Sequence, residues 1–301
     1  MVKPFCEYLR VKLQEYINKV SNRLLEHDLF YGHGTDNAID EAAYLVYISL
    51  GFDLSKDIDD GRELSDIEIS EIDRQVSERI EERKPVAYVL GKSWFAGRLF
   101  NSDKRALIPR SPIAELIRNR FEPLLADTPG RILDLCTGGG CIGIAAALEF
   151  ANSNVDLADI SIEALALADS NIALHNLSVR VRSIRSDTFE SLEGKYDLIV
   201  SNPPYVSRQE HDQLPREYAH EPKMGLISDD NGLALPLRIL REAADFLNDD
   251  GVLILEVGYS HELLAQRLKN VPLLWLEFEY GGEGVLALTA AQLQQYRASF
   301  K

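Results

Sequence analysis

The sequence predicts an α/β protein built on a mostly parallel seven-stranded sheet with an antiparallel terminal hairpin, preceded by a small helical domain. Three observations carry this expectation. Apolar residues recur at three-to-four spacing through residues 1–85; after Pro129-Gly130 short apolar runs alternate with helix-period segments; and the last two runs are joined only by a short link containing Gly281-Gly282-Glu283-Gly284. Three-to-four spacing marks amphipathic helices, alternation marks a parallel sheet with crossover helices, and so short a link admits only an antiparallel pair.

In chain order, Leu9, Leu13, Tyr16, Ile17, Val20 and Leu24 form one helical stripe, and Ala42, Leu45, Val46 and Ile48 continue in a similar period. Polar stretches such as Ser55-Lys56-Asp57-Ile58-Asp59-Asp60 separate and follow them, so residues 1–85 read as a helical domain. Over 86–108 the pattern changes to short apolar segments broken by Gly91 and Gly97, which suits a connecting β-hairpin. Residues 109–301 form the second domain. Its strands are expected at 131–136, 155–159, 179–184, 196–201, 251–257, 274–279 and 285–289, with helices at 162–177 and 235–247 among the crossovers.

Hydrophobic residues make up 46% and charged residues 27% of the 301-residue chain, a balance that fits a globular protein and neither a disordered nor a membrane-embedded one. No apolar run approaches the roughly 20 residues needed to span a bilayer. The charged stretch Met1 to Arg10 lacks the apolar core of a secretion signal, so a cytoplasmic location without a membrane partner is expected. Cys6, Cys136 and Cys141 give neither a disulfide framework nor a paired metal signature; the latter two read as small buried side chains. The histidines, His33 and His220 included, have no metal-spaced partners, and no metal is expected. A net charge of −16 opposes a phosphate-rich partner and favours a basic macromolecule.

The segment from Arg131 to Ala145 runs as a strand, a turn containing Gly138, Gly139 and Gly140, and an apolar helix. Such a turn lets backbone approach a ligand closely beside the helix N-terminus and its unpaired N–H groups, which reads as a nucleotide or nucleoside pocket. The next strand ends in Asp159, placed to accept hydrogen bonds from both hydroxyls of a free ribose. Gly138, Gly140 and Gly143 also meet the dinucleotide spacing, so the loop alone does not exclude that class of ligand.

The strand 196–201 is followed directly by Asn202-Pro203-Pro204-Tyr205. At the carboxyl end of a parallel strand, this tetrapeptide should face the same crevice as the glycine turn. The two prolines lock the backbone and leave carbonyls as fixed acceptors, Asn202 adds a side-chain carbonyl, and Tyr205 offers a stacking face. An amide nitrogen is a poor nucleophile because its lone pair is delocalised, so two acceptors that bind its N–H groups and aim it are the chemistry this turn can supply. The same pair of acceptors fits the exocyclic amine of adenine, which would require base extrusion and a phosphate-binding surface.

With these motifs in order, the chain resembles the class I S-adenosylmethionine (AdoMet)-dependent methyltransferases, and among them the glutamine N5-methyltransferases that carry Asn-Pro-Pro-Tyr. The resemblance covers nearly the whole chain. Within that group it is closest to the branch acting on the third protein of the large ribosomal subunit, through Tyr31-Gly32-His33-Gly34-Thr35-Asp36-Asn37-Ala38, Pro109-Arg110-Ser111-Pro112-Ile113, Asp134 to Gly138 and Trp275-Leu276-Glu277-Phe278. Release-factor enzymes, the alternative, share Pro-Arg-Pro-x-Thr-Glu where this chain has Pro109-Arg110-Ser111-Pro112-Ile113-Ala114-Glu115.

The resemblance implies a Rossmann-like fold, AdoMet as methyl donor with S-adenosylhomocysteine as product, and a basic large-subunit ribosomal protein as substrate. Nucleic acid, methylated on adenine N6, is the remaining alternative. Cofactor contacts would fall on Asp134, Cys136, Thr137, Gly138, Gly139, Gly140, Asp159, Asp187, Thr188 and Asn202. Methyl transfer would fall to Asn202, Pro203, Pro204 and Tyr205. Asp134 is expected near the amino group of the cofactor's methionine part, Glu221 is a candidate for ordering a loop over the substrate, and the helical domain is expected to recognise the substrate.

Overall fold

A computed structural model of the chain describes residues 11–59 and 61–301; Leu9 and Cys6 of the sequence reading lie outside these. The chain divides into two compact units, one ending at Lys92 and the other running from Ser93 to Lys301.

The first unit is helical. In α1 (Leu13–Leu25) the expected stripe Leu13, Tyr16, Ile17, Val20 and Leu24 is buried, and α2 (Ala38–Ser49) buries Ala42, Leu45 and Val46 beside it. Asn37 caps α2 by accepting a hydrogen bond from the Asp40 backbone N–H. The reading of the sequence did not single out α3 (Asp66–Glu81), although a capping box between Ser65 and Glu68 marks its start. At the centre of the unit Arg79 and Glu41, 1% and 3% exposed, form an ion pair at 2.7 Å, and Arg79 also donates to the Phe30 carbonyl at 2.9 Å. This pair fixes the loop before α2 that carries His33, which is itself buried and edge-on to Phe30 at 6.1 Å.

The expected hairpin is narrower than 86–108. Val86–Leu90 is a short helix, α4, because Pro85 sets up its first turn and Gly91, at φ 65°, ends it. Only β1 (Lys92–Phe95) and β2 (Arg98–Asn101) pair. Phe95 and Phe100 enter the core of the sheet unit, and the Asn101 N–H donates to Asn171 Oδ1 at 2.7 Å, so β2 is part of that unit rather than a free connector.

The sheet consists of β3 (Arg131–Leu135), β4 (Asn154–Asp159), β5 (Val181–Arg185), β6 (Tyr196–Ser201), β7 (Leu247–Glu256), β8 (Leu274–Trp275) and β9 (Val285–Thr289), in the order β5-β4-β3-β6-β7-β9-β8. The first five run parallel, while β9 is antiparallel to both β7 and β8. Successive residues alternate between two cores: Leu198 and Val200 pack on one face, Ile199 on the other, and Val252 and Ile254 oppose Leu253 and Leu255. The period of two thereby buries both faces, as crossover helices require.

The differences from expectation include β5, at Val181–Arg185 rather than 179–184, and β7, which begins at Leu247 rather than 251; three others have local reasons. The strand at 274–279 keeps only Leu274–Trp275, because the Glu279 and Tyr280 N–H groups donate to the Glu115 carboxylate instead of to a ladder. The helix at 162–177 stops at Leu174, where Asn176 takes φ 56°. The helix at 235–247 is α-helical only over Ala234–Glu242 and tightens to a 3₁₀ turn at Ala243–Phe246.

Candidate active site

Strand order reverses between β3 and β6, the place where a parallel sheet opens a crevice at its carboxyl ends. A cavity of about 980 Å³ occupies that crevice, within the second unit and at the upper end of the ~300–1,000 Å³ typical of small-molecule sites. Its wall includes Cys136 to Gly139, Asp159, Asp187, Thr188, Glu256 and all four residues of Asn202-Pro203-Pro204-Tyr205.

The glycine turn is closed on itself. Thr137 N–H donates to the Ala158 carbonyl, Gly138 N–H to Asp159 Oδ2 at 2.8 Å, Gly140 N–H to the Thr137 carbonyl and Gly143 N–H to Asp134 Oδ2 at 2.8 Å. Four donors of the turn are thus spent inside the protein, while the N–H groups of Gly139 and of the first two helix positions, Cys141 and Ile142, take no partner among the described residues, in keeping with the expectation of unpaired N–H groups at the helix N-terminus. The Asp159 carboxylate, whose other oxygen accepts from Ser161 N–H, is pushed above the usual carboxylate range by burial.

Asp134 and Gly140 do not line the cavity. Asp134 instead organises the loop: its Oδ2 accepts from Thr137 Oγ1 at 2.5 Å as well as from Gly143 N–H, and burial pushes its pKa up to about 7. Gly143 is required there, since a Cβ would lie 2.3 Å from the Leu157 side chain and 2.8 Å from Asp134 Cβ. Asp187 is held by Arg238 at 2.7 Å, and Thr188 stands at φ 50° with its hydroxyl toward Glu242. Burial raises the thiol pKa of Cys136 and Cys141, which keeps both protonated.

The tetrapeptide is braced from several directions. Val206, just after it, bridges to Ile227 in parallel, and the Tyr205 carbonyl accepts from Ser260 Oγ at 2.9 Å. That carbonyl is therefore committed to the fold, leaving the acceptors of Asn202 and the two prolines for a ligand. The Tyr205 ring lies over Gly258, where a Cβ would come within 2.5 Å of it and where φ is +47°.

Two carboxylates that the sequence reading missed or left open support the site: Glu256 in the cavity wall and Glu221 behind it. Glu256, at the end of β7, accepts from Ser111 Oγ and from Tyr205 OH at 3.3 Å. Its burial, offset by these donors and by Arg110, pushes its pKa up to about 7. Glu221 receives both guanidinium nitrogens of Arg110, at 2.6 and 2.7 Å, and the Ile108 N–H at 3.0 Å, tying the segment around Pro222 to the one around Pro109. Arg110 in turn lies 5.3 Å from the centre of the Tyr218 ring. In the sequence, Glu221 stood out as a loop-ordering candidate, and a Glu closing a buried strand and an Arg-Ser pair after Pro109 were further traces, but none of them names its partner.

Known proteins bear on the site at three levels. A family model, the methyltransferase small domain, matches residues 116–223. Two relatives named ribosomal protein uL3 glutamine methyltransferase are each 46% identical: one from Francisella tularensis, with 96% of this chain and 93% of that protein aligned, and one from Xanthomonas campestris, with 92% and 91%. Among solved structures, the hMettl16 catalytic domain in complex with MAT2A 3′UTR hairpin 6 superposes with a TM-score of 0.54 at 17% identity, covering 82% of this chain and 92% of that one, a likeness of fold.

Proposed function

Since the chain belongs to the ribosomal protein uL3 glutamine methyltransferases, we propose that Asn202-Pro203-Pro204-Tyr205 clamps the glutamine amide and that the turn residues Cys136, Thr137, Gly138 and Gly139, with Asp159, Asp187 and Thr188, hold the cofactor. The protein is an AdoMet-dependent methyltransferase that modifies the side-chain amide nitrogen of a glutamine in a ribosomal protein. One observation carries the assignment of roles: a proline-locked turn and a glycine turn, the latter shaped by hydrogen bonds of Thr137, Gly138 and Gly140, share one cavity.

The cavity suits AdoMet, which has a ribose and an ammonium group but no phosphate. Asp159 answers the ribose, and the buried Asp134 keeps the turn in shape rather than touching the ammonium group. Bound there, AdoMet supplies an electrophilic methyl carbon on sulfonium and leaves as S-adenosylhomocysteine. Asn202 Oδ1 and a proline carbonyl bind the two amide N–H groups, and Tyr205 packs on the amide plane. Holding the nitrogen in line with the methyl carbon replaces a loose encounter by a fixed approach, which accounts for rate without a strong base. Once alkylated, the amide nitrogen would be acidic and would give its proton to water, so the residues of the clamp need only bind and orient it.

The net charge of −16 supports a basic protein of the large subunit as substrate and a cytoplasmic setting, and no described helix is long and apolar enough to cross a membrane. Residues 1–85 we assign to substrate recognition, supported by their having a core of their own.

The test is to incubate the purified protein with methyl-labelled AdoMet and, separately, ribosomal proteins, release factors and nucleic acid, and to locate the label by mass spectrometry. Label on a glutamine of uL3 is expected. Label on a release factor or on adenine would retain the clamp and replace the substrate.

A further inference from the structure

The hydrogen bonds that Thr137, Gly138 and Gly140 donate shape the glycine turn from within. The Gly139 carbonyl reaches a partner outside it: Asn171 Nδ2, at 2.9 Å, on the helix Ile162–Leu174. Asn171 is 0% exposed, and its amide is fully engaged. Its Oδ1 accepts from the Asn101 N–H at 2.7 Å, and Nδ2 donates to the Asn101 carbonyl at 3.2 Å as well as to Gly139. The side chain thus pairs with both backbone groups of Asn101, as a neighbouring strand would, and gives its remaining hydrogen to the turn. Only one orientation of the amide allows this. Turned over, it would set an NH₂ group against the Asn101 N–H and an oxygen against two carbonyls.

Asn101 closes β2, and from it the chain runs into Arg105, Ala106, Leu107 and Ile108, which line the cavity together with the turn. Ala106 is buried with Ala164 and Leu167 of the same helix, and a Cβ on Gly138 would stand 3.6 Å from the Ala106 Cβ. The segment and the turn are therefore neighbouring walls of one space, drawn from different stretches of the chain, and chain connectivity does not fix the gap between them. Asn171 bonds to the start of one and to the middle of the other. We propose that Asn171 is a positioning residue for the cofactor: by joining Asn101 to Gly139 it sets the separation between residues 105–108 and the glycine turn, the slot that AdoMet enters.

This rests on the reading that the glycine turn holds AdoMet, and the experiment separates the two. AdoMet Kd is measured by calorimetry on the full-length wild type, Asp159→Ala and Asn171→Leu, and amide hydrogen exchange of β2 is followed with and without AdoMet. If Asp159→Ala binds AdoMet as the wild type does, the cofactor reading fails and this proposal with it. Leucine is close to asparagine in size and makes none of the three bonds. Asn171→Leu is expected to raise AdoMet Kd about 10-fold, with kcat at saturating AdoMet and KM for uL3 within about three-fold of wild type. A residue that only stabilised the fold would lower Tm and leave Kd within about two-fold of wild type, and that result overturns the proposal. The exchange measurement tests the same link without a substitution. No residue of β2 lines the cavity, so AdoMet can protect β2 only through what joins the two. In the wild type AdoMet is expected to slow β2 exchange several-fold, and in Asn171→Leu to leave it unchanged. Should Asn171→Leu fail to fold, the wild-type exchange decides: slowing of β2 by AdoMet supports the link, and unchanged exchange overturns it.

Discussion

The two walls of the cavity are built on opposite plans. On the cofactor side the glycine turn satisfies itself: Thr137, Gly138, Gly140 and Gly143 give their N–H groups to neighbours on β3, on β4 and within the turn, and Asp134 closes the loop from beneath. On the substrate side the tetrapeptide makes little use of its own neighbours and is held by residues far along the chain, Ser260, Gly258 and Glu256, the last itself held by Ser111. A self-contained turn sets its own shape; a braced one takes its shape from the rest of the fold. The second plan lets substrate selectivity change through bracing residues while the cofactor turn stays as it is.

Substitutions can break or sharpen this contrast. Asn202→Ala should have the largest effect, lowering kcat for uL3 about 10³-fold by removal of an acceptor aimed at the reacting group, while AdoMet affinity measured by calorimetry changes far less. Glu221→Ala should cost stability rather than chemistry alone. It strips a buried partner from Arg110, whose side chain is 24% exposed, so a loss of about 3 kcal/mol in denaturant unfolding is expected. Asp159→Ala should act on the other wall, weakening AdoMet roughly 10- to 100-fold, the scale of charge-assisted hydrogen bonds to ribose, with kcat at saturating cofactor much less affected.

Asp134→Asn should be the mildest and the most diagnostic. The Asp134 carboxyl titrates near 7 in the folded protein against 3.8 for an exposed one, so the folded state holds an extra proton between those values. Stability therefore falls as pH rises through that window. Asparagine keeps an acceptor for Thr137 and Gly143 without a charge to bury. Its Tm relative to wild type should climb by a few degrees between about pH 5 and pH 8. A flat difference would mean that the Asp134 charge is compensated in the folded state.

The same contrast explains what could be read from the sequence. The glycine turn, Asp159 and Asn202-Pro203-Pro204-Tyr205 were legible because local chemistry defines them: strand, turn and polar residue follow one another in a few positions. The alternation of β6 and β9 gave their limits as observed, since both faces of each strand are buried. What was not legible depends on partners. Nothing local to Glu256 announces Ser111, and Glu221 could be suspected but not matched to Arg110. The Asp134 reading shows the converse: its position was legible, but its direction, into the loop rather than the cavity, depended on where Gly143 N–H would lie. The shortened strand at Leu274–Trp275 likewise turned on Glu115, which lies more than 150 residues earlier.

That short strand has a consequence for the protein in a crowded solution. The β8 edge offers only two residues of unpaired backbone, too few to template a foreign strand, before the chain is led away to Glu115. At the opposite edge, β5 carries the exposed Arg185, so two copies approaching there would bring like charges together, while the neighbouring Arg182 is paired with Asp156 at 2.6 Å. Both margins of the sheet are thereby guarded against edge-to-edge aggregation, one by brevity and the other by repulsion.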